Sequence, residues 1–353
     1  MIETWYPTQP AIYDISKSYL ENFEQGPFFQ GKIPERPPSK ATIDFLGHKL
    51  RSPLGVPAGP LLNSRWTTFA ANLGFDLVTY KTIRSFAHSG HALPNMIYIE
   101  PIGTKNARQI GQPPSQLNEL TVTNSFGMPS RSPEFLLTDI PAAKAALAPG
   151  QALIVSIVGT PDQGVSFCED FVRTAVFAKE AGATLIEANF SCPNVAKAEG
   201  SLYQSPDAVY EYARAIARAI HPVPLILKIG EIEDSRLLQQ VLQAAARAGA
   251  QAVCGLNSVS MQVTTAQGAP ALGAHRLTSG VCGGAIRSRA LHFLREASKH
   301  IRNDRLGLTL MGCGGITSPH HFDEFLEAGA QVALTATGMM WDPFLAMRYH
   351  RAH

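Results

Sequence analysis

The sequence predicts an α/β protein: a (β/α)8 TIM barrel with an N-terminal arm and an insertion between barrel strands 2 and 3. Three observations predict it. From about residue 41, apolar runs of strand length recur eight times; stretches of helical spacing follow most of them; and the runs end on polar, cationic or glycine residues. Near-continuous apolar strands alternating with helices indicate a parallel sheet covered on its outer side. Eight such units in 353 residues suit a closed barrel better than an open, doubly wound sheet.

Residues 1–40 form the arm. They are rich in proline and aromatic residues, including Trp5, Tyr6, Tyr13, Tyr19, Phe23, Phe28 and Phe29. Ile15–Phe23 has the spacing of a short amphipathic helix, which Gly26 and Pro27 would end. The arm is expected to pack on the main domain, because nothing in it is apolar enough to anchor in a membrane. Residues 41–353 form the barrel. Its strands are expected at Pro53–Ala58, Asp76–Lys81, Leu153–Val158, Leu185–Asn189, Leu225–Ile229, Ala252–Asn257, Leu308–Gly312 and Val332–Thr337. Helices are expected at Phe167–Ala181, Asp207–Ile220, Ser235–Ala248, Arg287–His300 and Pro319–Ala328. Residues 82–151 are too many for a simple crossover, so they hold an insertion with small strands of its own.

Composition narrows the function. Hydrophobic residues at 45% exclude a disordered chain, and charged residues at only 16% suit either much buried backbone or an oligomer interface. A net charge of +2 without a basic run makes nucleic acid an unsuitable main partner. Five cysteines without a Cys-x-x-Cys pair fit neither a disulfide framework nor a metal site. No apolar run reaches the ~18 residues of a membrane helix, and the first residues do not read as a signal peptide. These features predict a cytoplasmic enzyme with no transmembrane segment.

The strand ends carry the chemistry. Ala58-Gly59, Lys81-Thr82, Asn189, Lys228, Asn257-Ser258, Gly314-Gly315 and Thr337 fall where barrel loops build active sites. Lys81 and Lys228 each close an apolar strand. Either alone reads as a snorkelling lysine; together, beside several asparagines, they suit an anionic ligand or, alternatively, a Schiff base. Asparagine amides both donate and accept, matching a ring with alternating N–H and C=O groups. In NFSCPN (189–194), Cys192 is able to exchange a proton once its pKa approaches working pH. Cys168, Cys254, Cys282 and Cys313 read as small buried residues. GVCGG (280–284) and GCGGI (312–316) precede helices, so their N–H groups are able to cradle a phosphate. NSFGMPS (124–130) is a tight turn whose N–H groups contact either a ligand or only solvent.

Together NFSCPN, Tyr80-Lys81-Thr82, NSFGMPS, Lys228, Asn257-Ser258 and GCGGI resemble the dihydroorotate dehydrogenase family, over about residues 41–345. The resemblance implies a barrel with FMN at its C-terminal mouth and oxidation of dihydroorotate to orotate in pyrimidine biosynthesis. By position, it makes Cys192 the base that takes the C5 proton while the C6 hydride passes to flavin N5, with Lys81 near flavin and substrate. Cysteine and Lys81-Thr82 look like the class 1 enzymes. The resemblance assigns Asn124, Phe126, Gly127, Met128, Asn189, Asn194, Asn257 and Ser258 to the substrate. To FMN it assigns Ala58, Gly59, Lys81, Thr82, Asn124, Asn189, Lys228, Gly283, Gly314, Gly315, Ala336 and Thr337. It implies a homodimer and an electron acceptor drawn from fumarate, a quinone, a nicotinamide-linked partner or oxygen.

The chain departs from the family pattern at Ser130, usually asparagine, at Ala336, usually glycine, and in its forty-residue arm. Two alternatives are a dihydropyrimidine dehydrogenase acting on dihydrouracil and a catalytically silent flavin-binding scaffold. Asn194, where the former usually has histidine, favours orotate.

Overall fold

The computed structural model describes all residues except 1–4, 8, 41, 162–163 and 192–200. A short hairpin, Ile43–Phe45 and His48–Leu50, turns through Leu46 and Gly47, both at positive φ. Phe45 and Leu50 are fully buried in one cluster with Leu77, Ile154, Ile226, Met311 and Leu334. The hairpin thus plugs the end of the barrel at which its strands begin.

Eight parallel strands close the barrel in chain order: Leu54–Val56, Leu77–Ile83, Ala152–Ile157, Ile186–Asn189, Leu225–Lys228, Ala252–Gly255, Thr309–Cys313 and Val332–Leu334. The last pairs back with the first through Ala333–Leu54 and Leu334–Gly55. This is the expected (β/α)8 architecture. The strands are buried along nearly their whole length because helices cover their outer faces. Helix Ser235–Ala248 illustrates the fit: Asp234 caps its first turn, Leu238, Val241, Leu242 and Ala245 form its buried stripe, and Gly249 at φ 95° ends it.

The insertion holds strands Met96–Ile102, Asn106–Gln109 and Thr121–Asn124, then helix Pro133–Ala145. Its strands do not form a sheet alone. They join Val259–Thr264 and Thr278–Gly283, from the loop after the sixth barrel strand, in a closed five-stranded sheet. This corrects the sequence reading, which treated GVCGG only as a glycine-rich approach to a helix. Thr278–Gly283 is a strand first, followed by a single 3-10 turn and helix Arg287–Asn303. Three glycines in and beside it mask its strand character.

In the arm, the helix runs from Tyr19 to Gln25 rather than from Ile15. Ser18 and Glu21 form a capping box that fixes the later start. Ile12, Tyr13, Tyr19 and Phe23 are buried in the main core, and the Ala11 N–H donates to Met340 O at 3.0 Å. Further along, Arg36 grips the fully buried Asp76 through two hydrogen bonds of 2.6 and 2.8 Å, and Ser52 donates a third at 2.6 Å. Asp76→Ala would strand the Arg36 charge in a mostly buried place. A stability loss of about 3 kcal/mol is expected, read as a lower urea midpoint at unchanged slope. Among the described residues, no helix is long and apolar enough to cross a membrane.

Candidate active site

Among the described residues, a cavity of about 1270 Å³, its open mouth included, lies at the C-terminal ends of the barrel strands. Every barrel strand except Ala152–Ile157 contributes residues to it near or just past its C-terminal end. Its lining includes Ala58, Gly59, Lys81, Thr82, Asn124, Phe126, Met128, Asn189, Lys228, Asn257, Ser258, Gly283, Gly314, Gly315, Ala336 and Thr337. Gly127 belongs to the same turn as Phe126 and Met128 but is not part of the wall. Cys192 and Asn194 lie outside the described residues.

The polar wall is cross-linked. Asn257 Nδ2 donates to Ser191 O at 2.7 Å and to Asn189 Oδ1 at 3.2 Å. Asn189 Oδ1 also accepts from the Ser191 N–H, and Ser191 Oγ donates to Lys228 O, both at 3.2 Å. Three adjacent strand ends are thus clipped together directly before Cys192 in the chain. Asn189 Nδ2 reaches Met128 Sδ at 3.7 Å, joining this group to the 124–130 turn. That turn places Gly127 at φ 72° and Met128 at φ 51°. The left-handed backbone at Met128 costs energy for an L-residue, a feature typical of functional turns. Ser130 serves the turn itself: its hydroxyl accepts from the Arg84 N–H at 3.1 Å, and it is not part of the cavity wall.

Lys81 sits within a strand that runs on to Ile83, not at its end as expected, and is nearly buried. Lys228 does end its strand; its Nζ donates to Cys254 Sγ at 3.2 Å. Burial pulls the Lys228 ammonium down, but the acidic groups Cys254, Cys313 and Glu187 outweigh that and raise its pKa. It therefore carries its proton at neutral pH. Glu187, two residues before Asn189, shares its strand face and lines the cavity. Its carboxyl is raised by burial, against the opposing pull of Lys228 and Ser156, and its Oε2 has no hydrogen-bond partner.

Several wall residues carried no functional reading in the sequence. Tyr13 and Tyr19 reach the cavity from the arm, and Pro57, Leu62, Met96, Val122, Ile286 and Met340 supply apolar surface. Glu187 was legible in principle, since it stands two residues before the strand end Asn189 and so on the same face. Cys282 and Cys313 also line the cavity instead of serving only as core. Burial pushes the thiols of Cys254 and Cys282 up to about 12 and raises those of Cys168 and Cys313. None of the four is poised to act as a base at neutral pH.

Comparison with known proteins agrees with this arrangement. A family model described as dihydroorotate dehydrogenase matches residues 40–351. A dihydroorotate dehydrogenase of Dictyostelium discoideum is 47% identical, over 98% of this chain and 98% of its own length. The NAD-dependent dihydropyrimidine dehydrogenase subunit PreA of Escherichia coli K12 is 28% identical, over 85% of this chain and 68% of its own. A putative dihydroorotate dehydrogenase A (fumarate) of Solibacter usitatus is 29% identical, over 88% and 91%. A match along nearly the whole length, on a barrel whose strand ends converge on one cavity, means that the chain belongs to the dihydroorotate dehydrogenase family.

Proposed function

We propose that the protein is an FMN-dependent enzyme that oxidises dihydroorotate to orotate, a step of pyrimidine biosynthesis. The observation that carries this reading is the cavity itself, which joins two lysines and an asparagine set at the mouth of a barrel of this family. The name of the 47% identical relative favours dihydroorotate over dihydrouracil, whereas the relative named as a dihydropyrimidine dehydrogenase subunit is only 28% identical.

The residues suit FMN. The cavity is a cleft at the mouth of the barrel, lined by apolar side chains with a few polar groups converging on it, the usual character of a cofactor site. A Cβ added at Gly59 would meet nothing within 4 Å, so glycine there keeps cavity space clear. Gly314 and Gly315, at φ 130° and 82°, follow the seventh strand, and Ala336 and Thr337 follow the eighth, the usual phosphate position in such barrels. Lys228 offers a buried positive charge to the ring system. FMN, when bound, supplies the two-electron acceptor for the reaction.

The chain's own groups do the rest. Asn124, Asn189, Asn257 and Ser258, with Asn194, bind the amide edge and carboxylate of dihydroorotate. The cross-links that join Asn189 and Asn257 fix their part of that geometry before the ligand arrives, which lowers the cost of orienting it. Lys81 places a cation near the substrate. Cys192 takes the C5 proton as general base, a role for which none of the four described cysteines is poised. Denaturing the purified protein is expected to release FMN, identified by chromatography beside FAD and riboflavin. A protein that neither carries nor takes up FMN contradicts the proposal.

A further inference from the structure

The arm does more than cover the barrel. Tyr13 lines the cavity and is 3% exposed. Its ring lies 5.9 Å from that of Trp66 and 6.0 Å from that of Phe126, edge to face in the second case. Trp66 belongs to helix Ser64–Asn72 and Phe126 to the turn that carries Asn124 and Met128. These contacts hold the ring between two well-packed elements.

The Tyr13 hydroxyl is buried and has no hydrogen-bond partner among the described residues. Phenylalanine would make the same ring contacts without the cost of an unmet buried hydroxyl, so the oxygen calls for a partner. Among the described residues, only Tyr13 Oη and Glu187 Oε2 are both buried without a partner and carried by cavity-wall residues. Glu187 has Lys228 and Ser156 nearby. Around Tyr13 lie the rings of Trp66 and Phe126, and Tyr19 and Asp14 act on its phenol only at a distance, without a hydrogen bond among the described residues. Burial raises its phenol far above the ordinary value, so it stays protonated and acts as a donor.

We propose that Tyr13 is a ligand-binding residue, its hydroxyl donating a hydrogen bond to an acceptor oxygen of the molecule held in the cavity. The inference rests on the functional reading above, which gives two sources for that oxygen: a carboxylate or carbonyl of the dihydropyrimidine substrate, or the flavin. Contact with Phe126 sets Tyr13 against the proposed substrate turn and favours the substrate. The arm thereby becomes part of the recognition surface as well as of the fold.

Tyr13→Phe tests this, because it removes one oxygen and keeps the ring. Three quantities are compared with the parent: the melting temperature of flavin-free protein, the FMN dissociation constant from fluorescence quenching, and the orotate dissociation constant from the flavin spectrum. The variant is expected to melt at or above the parent's temperature, because an unmet hydroxyl has gone. One ligand is expected to bind about 5- to 10-fold more weakly. Weaker orotate at unchanged FMN identifies the substrate as the partner, and the reverse identifies the flavin.

A variant that melts lower and binds both ligands as the parent does would make Tyr13 a packing residue and overturn the proposal. A parent that binds FMN but neither responds to orotate nor is bleached by dihydroorotate contradicts the functional reading. The FMN constant then decides Tyr13 alone: weakening supports it, and no change overturns it.

Discussion

Cys192→Ser is expected to slow flavin reduction by dihydroorotate about 10²- to 10⁴-fold at pH 7, the usual contribution of a general base. A thiol with an ordinary pKa near 8.5 supplies some thiolate at neutral pH, whereas a serine hydroxyl is a far weaker acid. The deficit therefore has a pH signature. The parent's rate should rise with pH and level off above the thiol pKa, and the variant's should keep rising. Stopped-flow reduction between pH 6 and 10 reads both curves. Equal rates across that range would remove Cys192 from the proton transfer.

Lys228→Met is expected to cost both flavin retention and stability. Lys228 is 5% exposed and lies by Glu187, Cys254 and Cys313. Without its charge, Glu187 loses the cation that opposes its burial, and a loss of about 3 kcal/mol is expected at pH 8. The sign of the pH dependence follows from the carboxyl. Burial already raises the Glu187 pKa, and loss of Lys228 raises it further. A carboxyl whose folded pKa exceeds its unfolded value binds protons on folding, so stability falls as pH rises above the unfolded value near 4.3. The variant should thus be more stable at pH 5 than at pH 8. Adding Glu187→Gln should abolish that difference. Urea denaturation at the two pH values checks this, and a pH-independent loss would mean that Glu187 does not sense Lys228.

The barrel was legible because a parallel strand covered on its outer face must be apolar nearly throughout. LIVSIV, LILKI and VALTAT announce themselves on those terms; the first two lie within a residue of the expected spans, whereas the last is strand only over Val332–Leu334 and its Thr337 opens a short helix. The five-stranded sheet was less legible. Thr278–Gly283 is poor in strand formers, and its partner Thr121–Asn124 lies far away in the sequence, so no local pattern announced their pairing. The site divides in the same way. Lys228, Asn189 and Asn257 stood out as polar groups closing apolar runs. Tyr13 and Tyr19 are two aromatic residues among many in the arm, and only tertiary packing selects which of them meet the cavity.

The most direct measurement is an anaerobic titration of the purified protein with dihydroorotate and, separately, dihydrouracil, following the visible flavin band. Dihydroorotate is expected to bleach the band and dihydrouracil to leave it unchanged. Bleaching by dihydrouracil alone, or by neither compound, would contradict the proposed activity.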